Sequence, residues 1–187
     1  MVKVAFIGGG NCEYIFLKSE IAKQDFHSLG IHVVKVINAL GENNLDSTNI
    51  DRLVEQCRLY SPDKVVVVAD VENDPCFTVA KERIGSLPDV ILLARKAFEA
   101  WLLADTEAMK KKFGSKYSYA TPENTPHLPW DEIKKIAKLY GMKTPENKLN
   151  FTKEMVTRYG FSILKASQHK YCQSAKYFVE KLRSLNS

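Results

Sequence analysis

The alternation of apolar and polar positions divides the first half of the chain into strands and helices. Four short apolar runs, rich in β-branched residues, are continuous rather than alternating. They cover residues 2–7, 31–37, 64–69 and 89–93. Continuous runs are typical of strands buried on both faces, as in a parallel sheet. Helical spacing is found between them, in residues 12–26, 47–60 and 76–84. This order predicts an α/β fold with a parallel sheet of about four strands, flanked by helices and joined by right-handed crossovers.

The second half of the chain predicts helices only. Residues 96–113 have the pattern of one long amphipathic helix, and the polar, proline-containing segment 114–129 predicts a loop, the best candidate for a mobile one. Further helices are predicted at residues 130–140, 153–159, 162–168 and 172–185. We expect an α/β domain over residues 1–113. A loop and helical extension over residues 114–187 would pack on this domain or form one compact domain with it.

Composition and charge narrow the class of protein. The chain has 187 residues, of which 45% are hydrophobic and 26% are charged, which excludes a mainly disordered or fibrous protein. No run approaches the roughly 18 apolar residues that span a bilayer, and no secretory signal pattern opens the sequence, so a cytoplasmic protein is expected. The formal net charge of +5 is compatible with a polyanionic partner such as nucleic acid. The four cysteines form no C-x-x-C pair, which argues against a zinc knuckle.

A glycine-rich turn follows the first predicted strand. Gly9, Gly10 and Asn11 lie where backbone N–H groups at a helix start can bind phosphate. A dinucleotide-binding fingerprint fails because Glu13 stands where its third glycine belongs, and the end of the second strand, at residues 38–39, lacks an acid for a ribose. A Walker A loop fails because no Gly-Lys-Ser/Thr follows. A turn that binds no ligand remains the alternative.

Acidic residues follow the third strand. Asp70, Glu72 and Asp74 come directly after a buried run, where ligands of open parallel sheets bind. Carboxylates spaced in this way repel each other unless a cation lies between them, and Mg²⁺ or Mn²⁺ prefers such oxygen ligands. We therefore predict a metal site at these residues. The alternative is that Asp70 and Glu72 are solvated, while Asp74 caps the third helix ahead of a first-turn proline, Pro75.

Two further glutamates and two cations belong to the same predicted edge. Glu13 lies in the first turn of the first helix, where the helix dipole alone also favours an acid. Arg95 and Lys96 follow the fourth strand and suit phosphate binding, and Glu99 lies in the first turn of the next helix. Because the first strand is expected beside the third, Glu13 would place a further carboxylate near Asp70.

These segments, in this order, resemble the Toprim-like proteins, the fold of topoisomerase and primase metal domains and of OLD-family nucleases. Residues 95–105 read RKAFEAWLLAD, a run similar to the hallmark of a family of small Toprim-like proteins. The resemblance implies that Asp70 and Glu72 match the Asp-x-Asp that holds Mg²⁺. The Glu-Gly pair of the family matches Gly9 and Gly10, so its first glutamate is missing, and Glu13 matches only the second acid of the OLD-like Glu-Gly-x-x-Glu pattern. The resemblance therefore implies that Glu13 and Glu99 are the candidates for the catalytic carboxylate.

Three functions compete at this point. The first is Mg²⁺-dependent phosphoryl transfer on DNA or RNA, by a nuclease or a nuclease-like subunit; the resemblance implies an ATPase partner, which must act in trans. The second is a non-catalytic nucleic-acid-binding or assembly module that kept the scaffold and lost turnover at Gly9. The third is an α/β enzyme that binds a nucleotide or cofactor at the turn of residues 8–10.

Overall fold

The structure, a computed structural model, describes residues 1–71 and 74–186. Four parallel strands form one sheet in the order β2-β1-β3-β4. They are β1 (Val2–Gly8), β2 (Ile31–Asn38), β3 (Lys64–Asp70) and β4 (Val90–Ala94). The central strand β3 is buried on both faces, as its continuous apolar run predicts. The predicted α/β fold class is confirmed.

Helices cover both faces of the sheet. The described part of the chain contains α1 (Asn11–Lys18), α2 (Glu20–Ser28), α3 (Ile50–Arg58), α4 (Phe77–Ile84), α5 (Glu99–Ala104), α6 (Thr106–Phe113), α7 (Pro129–Leu139), α8 (Lys148–Glu154), α9 (Ile163–Ala166) and α10 (Gln173–Arg183). Short 3₁₀ turns cover Glu42–Asn44 and Ser184–Asn186, and a π turn covers Met155–Tyr159. None of the described helices is both long and apolar enough to cross a membrane.

Two helices that the sequence predicts as continuous are broken by a capping residue. The segment 12–26 divides at Ser19, and the segment 96–113 divides at Asp105. Each of these side chains accepts a hydrogen bond from the backbone N–H three residues later and so starts a new helix. The prediction of one long helix over 96–113 is therefore wrong, because the polar side chain competes with the helical backbone pattern.

The start of α4 also differs from the prediction. Cys76 is its N-cap residue, so Pro75 lies outside the helix. The Asp74 carboxylate does not cap α4. It accepts hydrogen bonds from Nε and Nη2 of Arg83, in the last turn of the same helix, at 3.2 and 2.9 Å. In place of the expected cap, Asp74 forms an ion pair with a residue in the last turn of α4.

One core joins the sheet to the C-terminal helices. On one face of the sheet, Phe16, Phe98, Trp101 and Phe178 pack against one another with ring centroids 5.1 to 6.4 Å apart. The same hydrophobic cluster continues through residues 133–182. A smaller cluster lies on the other face, under α3 and α4. The core on the first face thus includes residues from both sides of the expected boundary at residue 113.

Replacing Asp105 by Ala should lower the free energy of unfolding by about 2 kcal/mol. The buried Asp105 carboxylate accepts from the N–H of Ala108 at 3.0 Å and from the N–H of Ser162 at 2.9 Å. The variant loses a helix cap and leaves a buried N–H without its acceptor. Denaturant unfolding measures the loss.

As a matched control, Asn147→Ala removes an exposed cap of α8 and should lower the free energy of unfolding by about 1 kcal/mol or less. Equal losses in both variants would contradict the contribution of the Ser162 contact.

Candidate functional site

Three carboxylates from three connections meet at the carboxyl edge of the sheet. Glu13 lies in the first turn of α1, directly after β1, and Asp70 ends the neighbouring strand β3. Glu42 comes from the 3₁₀ turn that follows β2. Because β2, β1 and β3 are parallel neighbours, their ends lie side by side, where open α/β sheets bind ligands.

Glu13 is the most buried of the three acids. Its side chain is 4% exposed, and its Oε2 accepts from the N–H of Gly10 at 2.9 Å. A side-chain hydrogen bond joins Glu13 to Asp70. Burial is the largest cause that raises the pKa of Glu13 to about 7; the charges of Glu42 and Glu99 act in the same direction, and the hydrogen bonds oppose them. Two carboxyl groups that share a hydrogen bond require a proton on one of them or a cation between them.

Sequence reasoning missed Glu42. Its Oε1 accepts from the backbone N–H of Asp70 at 3.2 Å, and its Oε2 lies 3.3 Å from Nη2 of Arg83. A Cβ placed on Gly9 would collide with this carboxylate, so Glu42 fills the space beside the glycine where the family resemblance expects a glutamate. The sequence signal for it is an acid three residues after Ala39, just beyond the end of β2.

Glu99 belongs to the same electrostatic cluster but has its own partner. It begins α5 and is 2% exposed. Nζ of Lys148, from α8, lies 3.5 Å from its Oε1. Glu99 is close enough to Glu13 to raise the pKa of Glu13. The two predicted catalytic glutamates are therefore brought together.

The N–H groups of Gly9 and Gly10 in the glycine turn already have acceptors within the protein. The N–H of Gly9 donates to the Val68 carbonyl at 2.8 Å, and the N–H of Gly10 donates to Glu13. The Asn11 amide oxygen accepts from the side chain of Asn38 at 2.7 Å. Strand and cap bonds therefore already use the N–H donors of Gly9 and Gly10, and phosphate binding at this turn stays a prediction.

The two predicted phosphate-binding cations have different surroundings. Arg95 is exposed and directly follows β4. Lys96 has a φ of +63°, and its Nζ donates to the backbone carbonyl of Thr125. This contact ties Lys96, which is partly exposed, to the loop of residues 114–129, whereas the exposed Arg95 is open to solvent. The loop is anchored by buried side chains, among them Tyr117 and Glu123.

The predicted metal ligands have three outcomes. Asp70 lies at the carboxylate cluster, Asp74 is paired with Arg83, and Glu72 lies outside the described residues. Within residues 1–71 and 74–186, no group of three or more His, Cys, Asp and Glu side chains has the arrangement of a metal site. Mg²⁺ commonly takes one or two carboxylates and completes its shell with water and phosphate oxygens. The hydrogen-bonded pair of Asp70 and Glu13 fits this requirement, whereas Asp74 does not.

Comparisons with known proteins add no relative. No protein-family model matches the chain, and neither the curated proteins nor the solved structures contain a match. The Toprim-like resemblance stays a prediction that rests on the residues quoted above.

Proposed function

We propose that this protein carries out Mg²⁺-dependent phosphoryl transfer on nucleic acid, as a nuclease or a nuclease-like subunit. The observation that supports the proposal is the meeting of Glu13, Glu42 and Asp70 at the carboxyl edge of a parallel sheet, beside the strand that Arg95 follows. Hard divalent cations and phosphate diesters are the ligands that such carboxylates and a neighbouring guanidinium bind together.

Each side chain has a distinct part in this proposal. Asp70 and Glu13 would hold Mg²⁺ or Mn²⁺, which supplies Lewis-acid activation of a phosphoryl oxygen and of water when bound. Glu42 positions Asp70 through the backbone N–H and is itself held by Arg83. Arg95 would bind the phosphate. Glu99 acts on the charge of Glu13 rather than on the substrate, because Lys148 is its direct partner.

One observation favours the alternative of a non-catalytic nucleic-acid-binding module. Arg83 pairs with both Glu42 and Asp74, so the protein itself neutralises two of the acids at this edge. In either case residues 1–187 contain no Walker A sequence, so a nucleotide-binding loop that the activity required would lie outside them.

A cleavage assay with matched variants tests the proposal. Labelled single- and double-stranded DNA and RNA are incubated with Mg²⁺, Mn²⁺ or EDTA. We expect cleavage that depends on the metal and falls by about 100-fold or more in Asp70→Asn. Asp51→Asn, on the exposed side of α3, is the control and should keep the activity. Cleavage in EDTA, or equal cleavage by Asp70→Asn, would contradict the proposal.

Metal binding has a readout of its own. Mg²⁺ should raise the unfolding temperature of the wild type at about pH 8, where Glu13 has lost its proton and the two carboxylates can both bind the metal, and should not do so in Asp70→Asn. Stabilisation without cleavage of any substrate would favour the non-catalytic module.

A further inference from the structure

A cavity of about 350 Å³ lies at the edge strand β4, between α4 and α10. Its walls include Phe77 and Lys81 of α4, Arg95 at the end of β4, and Tyr177 of α10. Of these four residues, only Arg95 takes part in the proposed phosphoryl transfer, where it binds the phosphate. We call this cavity the β4 pocket.

Two aromatic side chains of the β4 pocket are unusually accessible. Phe77 is 40% exposed and Tyr177 is 46% exposed. Phe77 and Lys81 are four residues apart and so lie on one face of α4. Nζ of Lys81 is 5.6 Å from the centroid of the Tyr177 ring. The β4 pocket therefore has two accessible aromatic rings, one from each helix, and a cation close to one of them.

The charge of the β4 pocket suits an anion. Lys81 and Arg95 both line it, and its one acid, Glu123, is 2% exposed. The Glu123 carboxylate accepts from the N–H of Gln173 at 2.9 Å and from the N–H of Ser174 at 2.7 Å. Because these donors of α10 satisfy Glu123, the accessible charges are the two cations. Aromatic faces with neighbouring cations bind a planar base and its phosphate.

The β4 pocket adjoins the carboxylate cluster. Ala94 pairs with Asp70 in the ladder between β3 and β4, and the N–H of Val71 donates to the Ala94 carbonyl at 3.0 Å. Neighbouring strands are about 4.8 Å apart. Arg95 directly follows Ala94, so one residue links the pocket to the edge where Asp70 lies.

We propose that the β4 pocket binds an unpaired base of a single-stranded nucleic acid, with the base stacked on Phe77 or Tyr177 and the adjoining phosphate on Arg95. The inference rests on the proposed function for its substrate class, and it adds a preference for single strands. A base inside a duplex is already stacked and paired, so only an unpaired base presents its face to an aromatic side chain.

Binding measured without metal tests the inference separately from catalysis. A short fluorescent single-stranded oligonucleotide and its duplex are titrated with the protein in EDTA. Stacking of one base predicts that Phe77→Ala or Tyr177→Ala weakens single-strand binding by about 10-fold, whereas Tyr177→Phe keeps the ring and the affinity. Tyr60→Ala is the matched control: Tyr60 is 47% exposed and has Nζ of Lys35 4.2 Å from its ring centroid, but it lies outside the pocket. This control should bind as the wild type does.

The outcomes separate the two proposals. Pocket-dependent binding of single strands without cleavage in any metal would support the inference and contradict the catalytic function. Metal-dependent cleavage, with binding unchanged in Phe77→Ala and Tyr177→Ala, would overturn the inference alone. Absence of oligonucleotide binding, a preference for the duplex, an equal loss in Tyr60→Ala, or full competition by a free nucleoside monophosphate would also overturn it.

Discussion

Replacing Glu13 by Gln should raise the free energy of unfolding at about pH 8 by up to about 3 kcal/mol in the absence of divalent metal. Burial raises the pKa of Glu13 from 4.5 to about 7. A difference of one pKa unit corresponds to about 1.4 kcal/mol of stability. Gln is nearly the same size, its oxygen can accept from the N–H of Gly10, and its amide can donate to Asp70.

The direction of the pH dependence follows from proton binding. The unfolded chain releases the Glu13 proton near pH 4.5, whereas the folded chain keeps it until about pH 7. Between these values the folded state binds more protons than the unfolded state at this position. The contribution of Glu13 to the free energy of unfolding therefore falls as the pH rises through this window and is constant above it. The Gln variant has no proton to lose at this position, and its profile should lack this fall.

Urea unfolding from about pH 5 to pH 8, in EDTA, measures both profiles. Glu20→Gln reports the effect of removing one charge from the surface, since the Glu20 side chain is 81% exposed. If Glu13→Gln follows the wild-type profile, or is less stable than the wild type at pH 8, the assigned cause of the raised pKa is wrong.

Replacing Glu123 by Ala should lower the free energy of unfolding by about 4 kcal/mol. Glu123 is almost fully buried and accepts hydrogen bonds from the N–H groups of Gln173 and Ser174 and from the Ser174 hydroxyl. Cys172, the N-cap of α10, makes no side-chain capping bond, so Glu123 supplies the cap from the loop of residues 114–129. The variant leaves several buried donors without an acceptor and removes a negative charge from a helix N-terminus.

The measurement is denaturant unfolding, together with amide hydrogen exchange in the first turn of α10. Glu123→Gln keeps one carbonyl oxygen and should lose about half as much stability. Glu146→Ala, at the surface, should change little because its side chain is 72% exposed. A loss below about 1 kcal/mol in Glu123→Ala would show that the loop does not hold α10.

The strands and the position of the candidate site were predictable because both depend on local patterns. A continuous apolar run such as residues 64–69 indicates a strand buried on both faces, and the acid that follows it must lie at the carboxyl edge. Asp70 and Glu13 were placed together on this ground. The division of the helix at Asp105 was not predicted, because whether a polar side chain caps a helix also depends on its tertiary contacts, here the N–H of Ser162.

Charge partners were the least predictable part of the site. Asp74 appeared as a helix cap or a metal ligand, but the tertiary structure pairs it with Arg83, which also holds Glu42. The direction of a long, flexible Arg side chain depends on what packs around it, and no periodicity in the sequence encodes that direction. The lysine beside Glu99 comes from α8, 49 residues further along the chain.

By itself the sequence determined the α/β class, the four strands and the edge at which the acids collect, because hydrophobic periodicity and strand polarity act over a few residues. The tertiary structure alone decided that Glu42 lies beside Gly9, that Glu123 caps α10, and that Phe77 and Tyr177 share one pocket. These contacts join segments far apart in the chain, and they form only when the helices pack against the two faces of the sheet.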